Sequence, residues 1–206
     1  MIKLTKFILG NFKMAFTNTL KLALVFIFLM LLTRVSHELT LFSFPDASLI
    51  IFFAGGIFLK KIRWLMFFLA YIVCIDLYII NFTLLEKINL NIGYLLHLSI
   101  YPLCWIVSKK LYGEKNNLNV ILFFSSIIFV TIIAYFISTS SYYFLSGWVH
   151  EPNISGSYIF LKANFLHYFI PNLIYGFILF SIIQICKKVL LLKKKTIINN
   201  SLKSCL

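Results

Sequence analysis

Charge is what this chain has least of. Only 12% of its 206 residues are charged, about half the share in an average soluble domain, while 61% are hydrophobic. A water-soluble fold of this length cannot bury so much apolar surface, so lipid is the solvent for most of it. Acids are scarcer still, 6 Asp and Glu against 19 Lys and Arg. Catalytic signatures are missing as well: the chain has no GxGxxG, no Walker A and no HExxH. Ser155-Gly156-Ser157 lacks the Gly-x-Ser-Gly context of an intramembrane serine protease. Without a nucleotide site the chain cannot drive ATP-powered work alone, and it is read as no enzyme. Cysteine comes without pairing: Cys74, Cys104, Cys186 and Cys205 form no CxxC and mostly sit in apolar runs, as small core hydrophobes do. Neither a disulfide, a metal nor a cofactor is implied. The terminal Ser204-Cys205-Leu206 does not fit a prenylation box.

What is present is a succession of apolar runs, at 18–35, 47–59, 62–80, 90–108, 118–138 and 159–186. A helix crossing the hydrocarbon needs about 20 residues. The second run is short and reads as a tilted or irregular crossing. The last is long and contains Pro171, which removes an internal hydrogen bond and predicts a kink near 167–171. The lysines before the first run resemble a signal peptide, but Thr33-Arg34-Val35-Ser36-His37 offers no small-x-small cleavage site, so an uncleaved first helix is expected.

The net charge of +13 sits between these runs rather than in a patch with aromatics, which points to topology signals and anionic lipid, not nucleic acid. With six crossings and a cytoplasmic N-terminus, all but Arg34, Lys87 and Lys162 of the 19 basic residues fall inside. The expected fold is therefore an all-α integral membrane protein, a bundle of about six transmembrane helices with both termini cytoplasmic. Residues 1–186 form one transmembrane domain and 187–206 a basic, low-complexity cytoplasmic tail. The acids distribute oppositely: Glu38, Asp46, Glu86 and Glu151 fall in outer loops and Asp76 near the outer end of the third span.

Polar residues inside a membrane are costly and mark candidate sites. Asp76, flanked by Ile75 and Leu77, reads either as a ligand-facing carboxylate or as a structural bond to a neighbouring helix, with Arg34 its expected partner at similar depth. Arg34, His37 and Glu38 share a face by their i, i+3, i+4 spacing. The hydroxyl- and aromatic-rich stretch from Ser138 to Trp148 suits either a membrane-interface belt or a small-molecule pocket. Asn164 and His167 enter the last helix on one face, and His97, mid-span, reads as a hydrogen-bonded core residue. No histidine pair has metal-ligand spacing. Ala15, Thr19 and Ala23 recur every four positions, a ladder compatible with a membrane partner's close approach.

Three segments carry a family resemblance. Leu32-Thr33-Arg34-Val35-Ser36-His37, Phe44-Pro45-Asp46-Ala47-Ser48-Leu49 with Phe52-Phe53-Ala54-Gly55-Gly56, and the run from Ile137 to Gly147, together with Ile75-Asp76, resemble small bacterial membrane proteins akin to the substrate-binding S components of energy-coupling-factor transporters, some assigned to cobalamin uptake. The likeness extends in order over residues 32–180, with Pro-Asp-Ala-Ser-Leu its most specific element. An asparagine expected near Thr139 is absent, and spans three and four carry bulkier residues; these departures bear on the ligand more than on the fold. The resemblance implies capture of a vitamin-like molecule from the outer face of a bacterial cytoplasmic membrane, with a transmembrane coupling protein and ATPases as partners. The residues themselves suit a polar, aromatic outer cavity lined by Arg34, His37, Asp46, Asp76, Ser141, Tyr142 and His167. An intramembrane enzyme using Asp76 and a histidine, or a scaffold binding only other helices, stay open as alternatives.

Overall fold

The computed structural model describes residues 19–35, 45–83, 91–112, 119–147 and 149–203, with side chains as far as Ile185. All regular structure among them is helical. The elements are α1 (residues 19–35), α2 (Ser48–Phe58), α3 (Ile62–Thr83), α4 (Ile92–Tyr112), α5 (Val120–Leu145) and α6 (Ile154–Lys203). Three of them hold segments long and apolar enough to cross a membrane: Ile62–Asn81, Val120–Leu145 and Ile154–Ile185. Their outward residues, among them Met66, Phe129, Phe136 and Phe177, are large, apolar and exposed. In water such a surface would aggregate; in hydrocarbon it is simply solvated. The chain is a membrane protein.

The short second run is a buried helix. Every residue of α2 from Ser48 to Ile57 is buried, as an all-round apolar helix requires. Its 11 residues span about 16 Å, half the hydrocarbon thickness. It packs most extensively on α4, and glycine makes the approach possible. A Cβ on Gly55 would enter the Trp105 ring, and one on Gly56 would meet Ser108 Oγ and the Trp105 carbonyl. Phe52 then stacks on Tyr101 with ring centroids 4.7 Å apart, and Phe53 meets Phe123 of α5 edge-on at 5.9 Å. Phe123 continues the aromatic contact to Phe180 of α6 at 5.3 Å. One core thus runs from α2 through α4 and α5 to α6. The α2–α3 corner is tight: Lys60 takes a left-handed conformation (φ 54°) while its N–H and that of Leu59 close on the Gly55 carbonyl.

Helix limits differ from the apolar runs where polarity is tolerated inside a helix. The fifth helix continues past 138 to Leu145, because Ser138, Ser140 and Ser141 leave helical geometry intact, Ser141 Oγ donating to the Ser138 carbonyl. α6 starts at Ile154 and continues through Lys203 across the segment read as a low-complexity tail; no glycine or proline interrupts 187–203. Pro171 lies within the helix. The small-residue ladder is in part already used: Ala23 is 0% exposed, packed into the chain's own core, whereas Ala15 lies outside the described residues.

Candidate functional site

Local geometry first brings Asp46 to the start of α2. The N-cap Ala47 has no capping side chain, and Asp46 supplies the missing acceptor: its Oδ1 takes hydrogen bonds from Ser48 N (2.9 Å) and Ser48 Oγ (2.5 Å). A carboxylate at a helix N-terminus also complements the dipole. Two further bonds hold this turn against its neighbours. Ala47 N donates to Thr33 Oγ1 of α1 at 3.3 Å, and Tyr175 Oη of α6 donates to the Pro45 carbonyl at 2.8 Å. The Pro-Asp-Ala-Ser element is therefore clamped between the first and last helices.

Arg34 reaches into this junction from the end of α1. Its Nε and Nη2 donate to Asp76 Oδ1 and Oδ2 at 2.6 and 2.7 Å, a bidentate fork, and its Nη1 donates to Asp46 Oδ2 at 2.9 Å. Nη1 also lies 3.3 Å from Ser48 Oγ and 3.1 Å from Tyr101 Oη. Tyr94 Oη adds a third donor to Asp76, at 2.8 Å from Oδ2. Asp76 is 1% exposed, so both oxygens of a fully buried carboxylate are satisfied. The expected Arg34–Asp76 partnership is present.

From Tyr101 the network continues to His97 Nε2 (3.1 Å) and from His97 Nδ1 to Ser138 Oγ (2.9 Å). Tyr101 Oη accepts from Arg34, which has no acceptor to offer, and the direction of the two His97 bonds follows the imidazole tautomer.

Two cavities flank the network. The smaller, about 230 Å³, is bounded by Arg34, Asp76, Tyr94, His97, Ser138, Ser141 and Tyr142. The larger, about 630 Å³, is bounded by Pro45, Asp46, His97, Tyr101, His167, Tyr168 and Asn172. His97 borders both. Volumes of this order suit small organic molecules. Of the sequence candidates, Arg34, Asp46 and Asp76 meet directly, and Ser141 and Tyr142 line the smaller cavity beside Arg34 and Asp76. His167 instead borders the larger one, on the Asp46 side, away from Asp76. His37 lies outside the described residues, as does Glu38. His97 is hydrogen-bonded as expected, and it is also a wall of both cavities. Tyr94 and Tyr101 escaped the sequence reading, although with His97 they stand at i, i+3 and i+7 on one face of α4. Among the described residues no three His, Cys, Asp or Glu side chains gather as a metal site.

No protein-family model matches the chain, and no curated protein is significantly similar to it.

Proposed function

We propose that this chain is a membrane-embedded substrate-capture component of an uptake system for a small vitamin-like molecule, which enters from the outer side. One observation carries the reading: in a bundle with so few charges, Arg34, Asp46 and Asp76 from α1, the α2 start and α3 converge, and the convergence is flanked by two cavities rather than by packed side chains. Buried ion pairs seldom raise stability over an apolar core, so such a cluster beside free volume is more economically explained by binding. The rest of the proposal follows the sequence. Six membrane segments with both termini cytoplasmic, the half-length α2 among them, satisfy the lysine and arginine distribution. A bacterial cytoplasmic membrane, a transmembrane coupling protein and ATPases follow from the likeness to energy-coupling-factor S components. Cobalamin is the ligand that likeness puts first. A whole corrinoid exceeds either cavity, so its capture requires the two to join across His97 and Tyr101.

The test is equilibrium binding to the full chain in lipid nanodiscs, with a labelled vitamin panel that includes cyanocobalamin. Saturable binding of one member, weakened at least tenfold by Ser141→Trp in the smaller cavity or Ile170→Trp in the larger, is expected. Absence of saturable binding for the whole panel refutes capture. Co-purification of an ATPase pair from the native membrane tests the partners, and single-cysteine labelling from either side tests the orientation.

A further inference from the structure

We propose that the larger cavity is an organic-cation subsite, with Asp46 as its counter-charge and Tyr101 and Tyr168 as its aromatic walls; this deepens the capture reading and rests on it. Arg34 has little left to offer a ligand. Nε is bonded to Asp76, Nη1 faces Asp46, Ser48 and Tyr101, and Nη2 gives one of its two hydrogens to Asp76. A guanidinium held in this way is a clamp for its own carboxylates and has almost nothing free for a carboxylate or phosphate of a ligand. The two acids, by contrast, outnumber it. Of Lys, Arg, Asp and Glu, the described residues lining the two cavities include one base, Arg34, and two acids, Asp46 and Asp76.

The surplus negative charge lies toward the larger cavity. Asp76 is matched by the bidentate fork and sits 2% exposed on the smaller side, whereas Asp46 has a single Arg34 contact, is 35% exposed by its side chain, and lines the larger cavity. Asn172 belongs to the same wall, with its amide oxygen buried beneath the surface. Asn172 is 4% exposed; its Nδ2 donates to the Tyr168 carbonyl, which fixes the amide orientation, and its Oδ1 has no hydrogen-bond partner. Tyr101 and Tyr168 border the cavity, and phenol rings attract a cation most when water is excluded. A partly exposed carboxylate and two tyrosines around about 630 Å³, with no Lys or Arg among the lining residues, describe a receptor for a protonated or quaternary nitrogen.

The experiment uses the full chain in uncharged phosphatidylcholine nanodiscs at pH 8. Binding is measured for three probes of one shape, 1-methylnicotinamide (cation), nicotinamide (neutral) and nicotinate (anion), and for thiamine, riboflavin, biotin and cyanocobalamin. The expected order is cation, then neutral, then anion, with about tenfold or more separating cation from anion. Asp46→Asn collapses that separation, and Tyr168→Leu weakens the cations severalfold and leaves the neutral probes alone. Should Asp46→Asn fail to fold, Tyr168→Leu carries the test. Tightest binding by an anion, a charge order that survives Asp46→Asn, or binding of cyanocobalamin alone overturns the cation assignment while leaving capture intact. No saturable binding by any probe overturns both.

Discussion

Asp76→Asn is the substitution whose effect the structure determines most fully. Asparagine keeps the shape and removes the charge. The carboxylate it replaces is 1% exposed and accepts from Arg34 Nε, Arg34 Nη2 and Tyr94 Oη. An amide can accept at one position only, and its NH₂ then faces donors. Arg34 is left in a buried site with Asp46 alone. Breaking a buried pair in this way costs about 3–5 kcal/mol. In a chain of this size that corresponds to a fall of about 6–20 °C in unfolding temperature. Asp46→Asn is the internal comparison. Its side chain is 35% exposed, it makes one bond to Arg34, and asparagine still accepts from Ser48 N, so solvent screening limits the loss to about 1 kcal/mol. Cys104 is a convenient reporter: it is 0% exposed, so in a background where Cys74, Cys186 and Cys205 are replaced by serine, a thiol-reactive fluorophore lights up only on unfolding. Replacing the pair together, Arg34→Met with Asp76→Leu, recovers part of the stability by exchanging ions for packing, while Asp46 and Tyr94 each lose a partner. Equal shifts for Asp46→Asn and Asp76→Asn, or a shift of under about 2 °C for Asp76→Asn, would refute the reasoning, because the fork would then not be the better-buried half of the cluster.

Further outcomes follow from single contacts. Tyr94→Phe removes one donor from the buried carboxylate and lowers stability by about 1.5–3 kcal/mol in the same thiol assay, leaving the Arg34 fork in place. Tyr175→Phe frees the Pro45 carbonyl and costs about 0.5–1.5 kcal/mol; a larger loss would mean that α6 holds the α2 turn by more than this bond. Gly56→Val drives a side chain into the Trp105 carbonyl and Ser108, so the yield of monodisperse protein in detergent should collapse. Gly147→Ala, by contrast, meets open space and costs only about 1 kcal/mol through its left-handed backbone (φ 78°), a difference that size-exclusion profiles of the two variants display.

Asp46 caps α2 through Ser48, and the same carboxylate binds Arg34 and borders the larger cavity. A residue of a local turn is thereby also a residue of the site. That double role explains why the turn is clamped by Thr33 and Tyr175 from opposite ends of the chain.

Composition and hydropathy alone determined that the chain lives in lipid and that its elements are helices, and they offered Arg34 as the expected partner of Asp76. These follow from one-dimensional quantities, because an apolar run fixes its solvent and an isolated charge in such a run demands a partner. Only the tertiary structure decided which helix becomes the centre. The shortest apolar run, α2, is enclosed because Gly55 and Gly56 admit Trp105 and Ser108, a fit between surfaces far apart in sequence. It alone divided the candidates as well, setting Ser141 and Tyr142 beside Asp76 and His167 beside Asp46, and it brought in Tyr94, Tyr101 and Asn172. Hydropathy records how much a residue prefers lipid, not the direction its helix face takes once neighbours pack, so the wall between two cavities cannot be read from the order of residues along the chain.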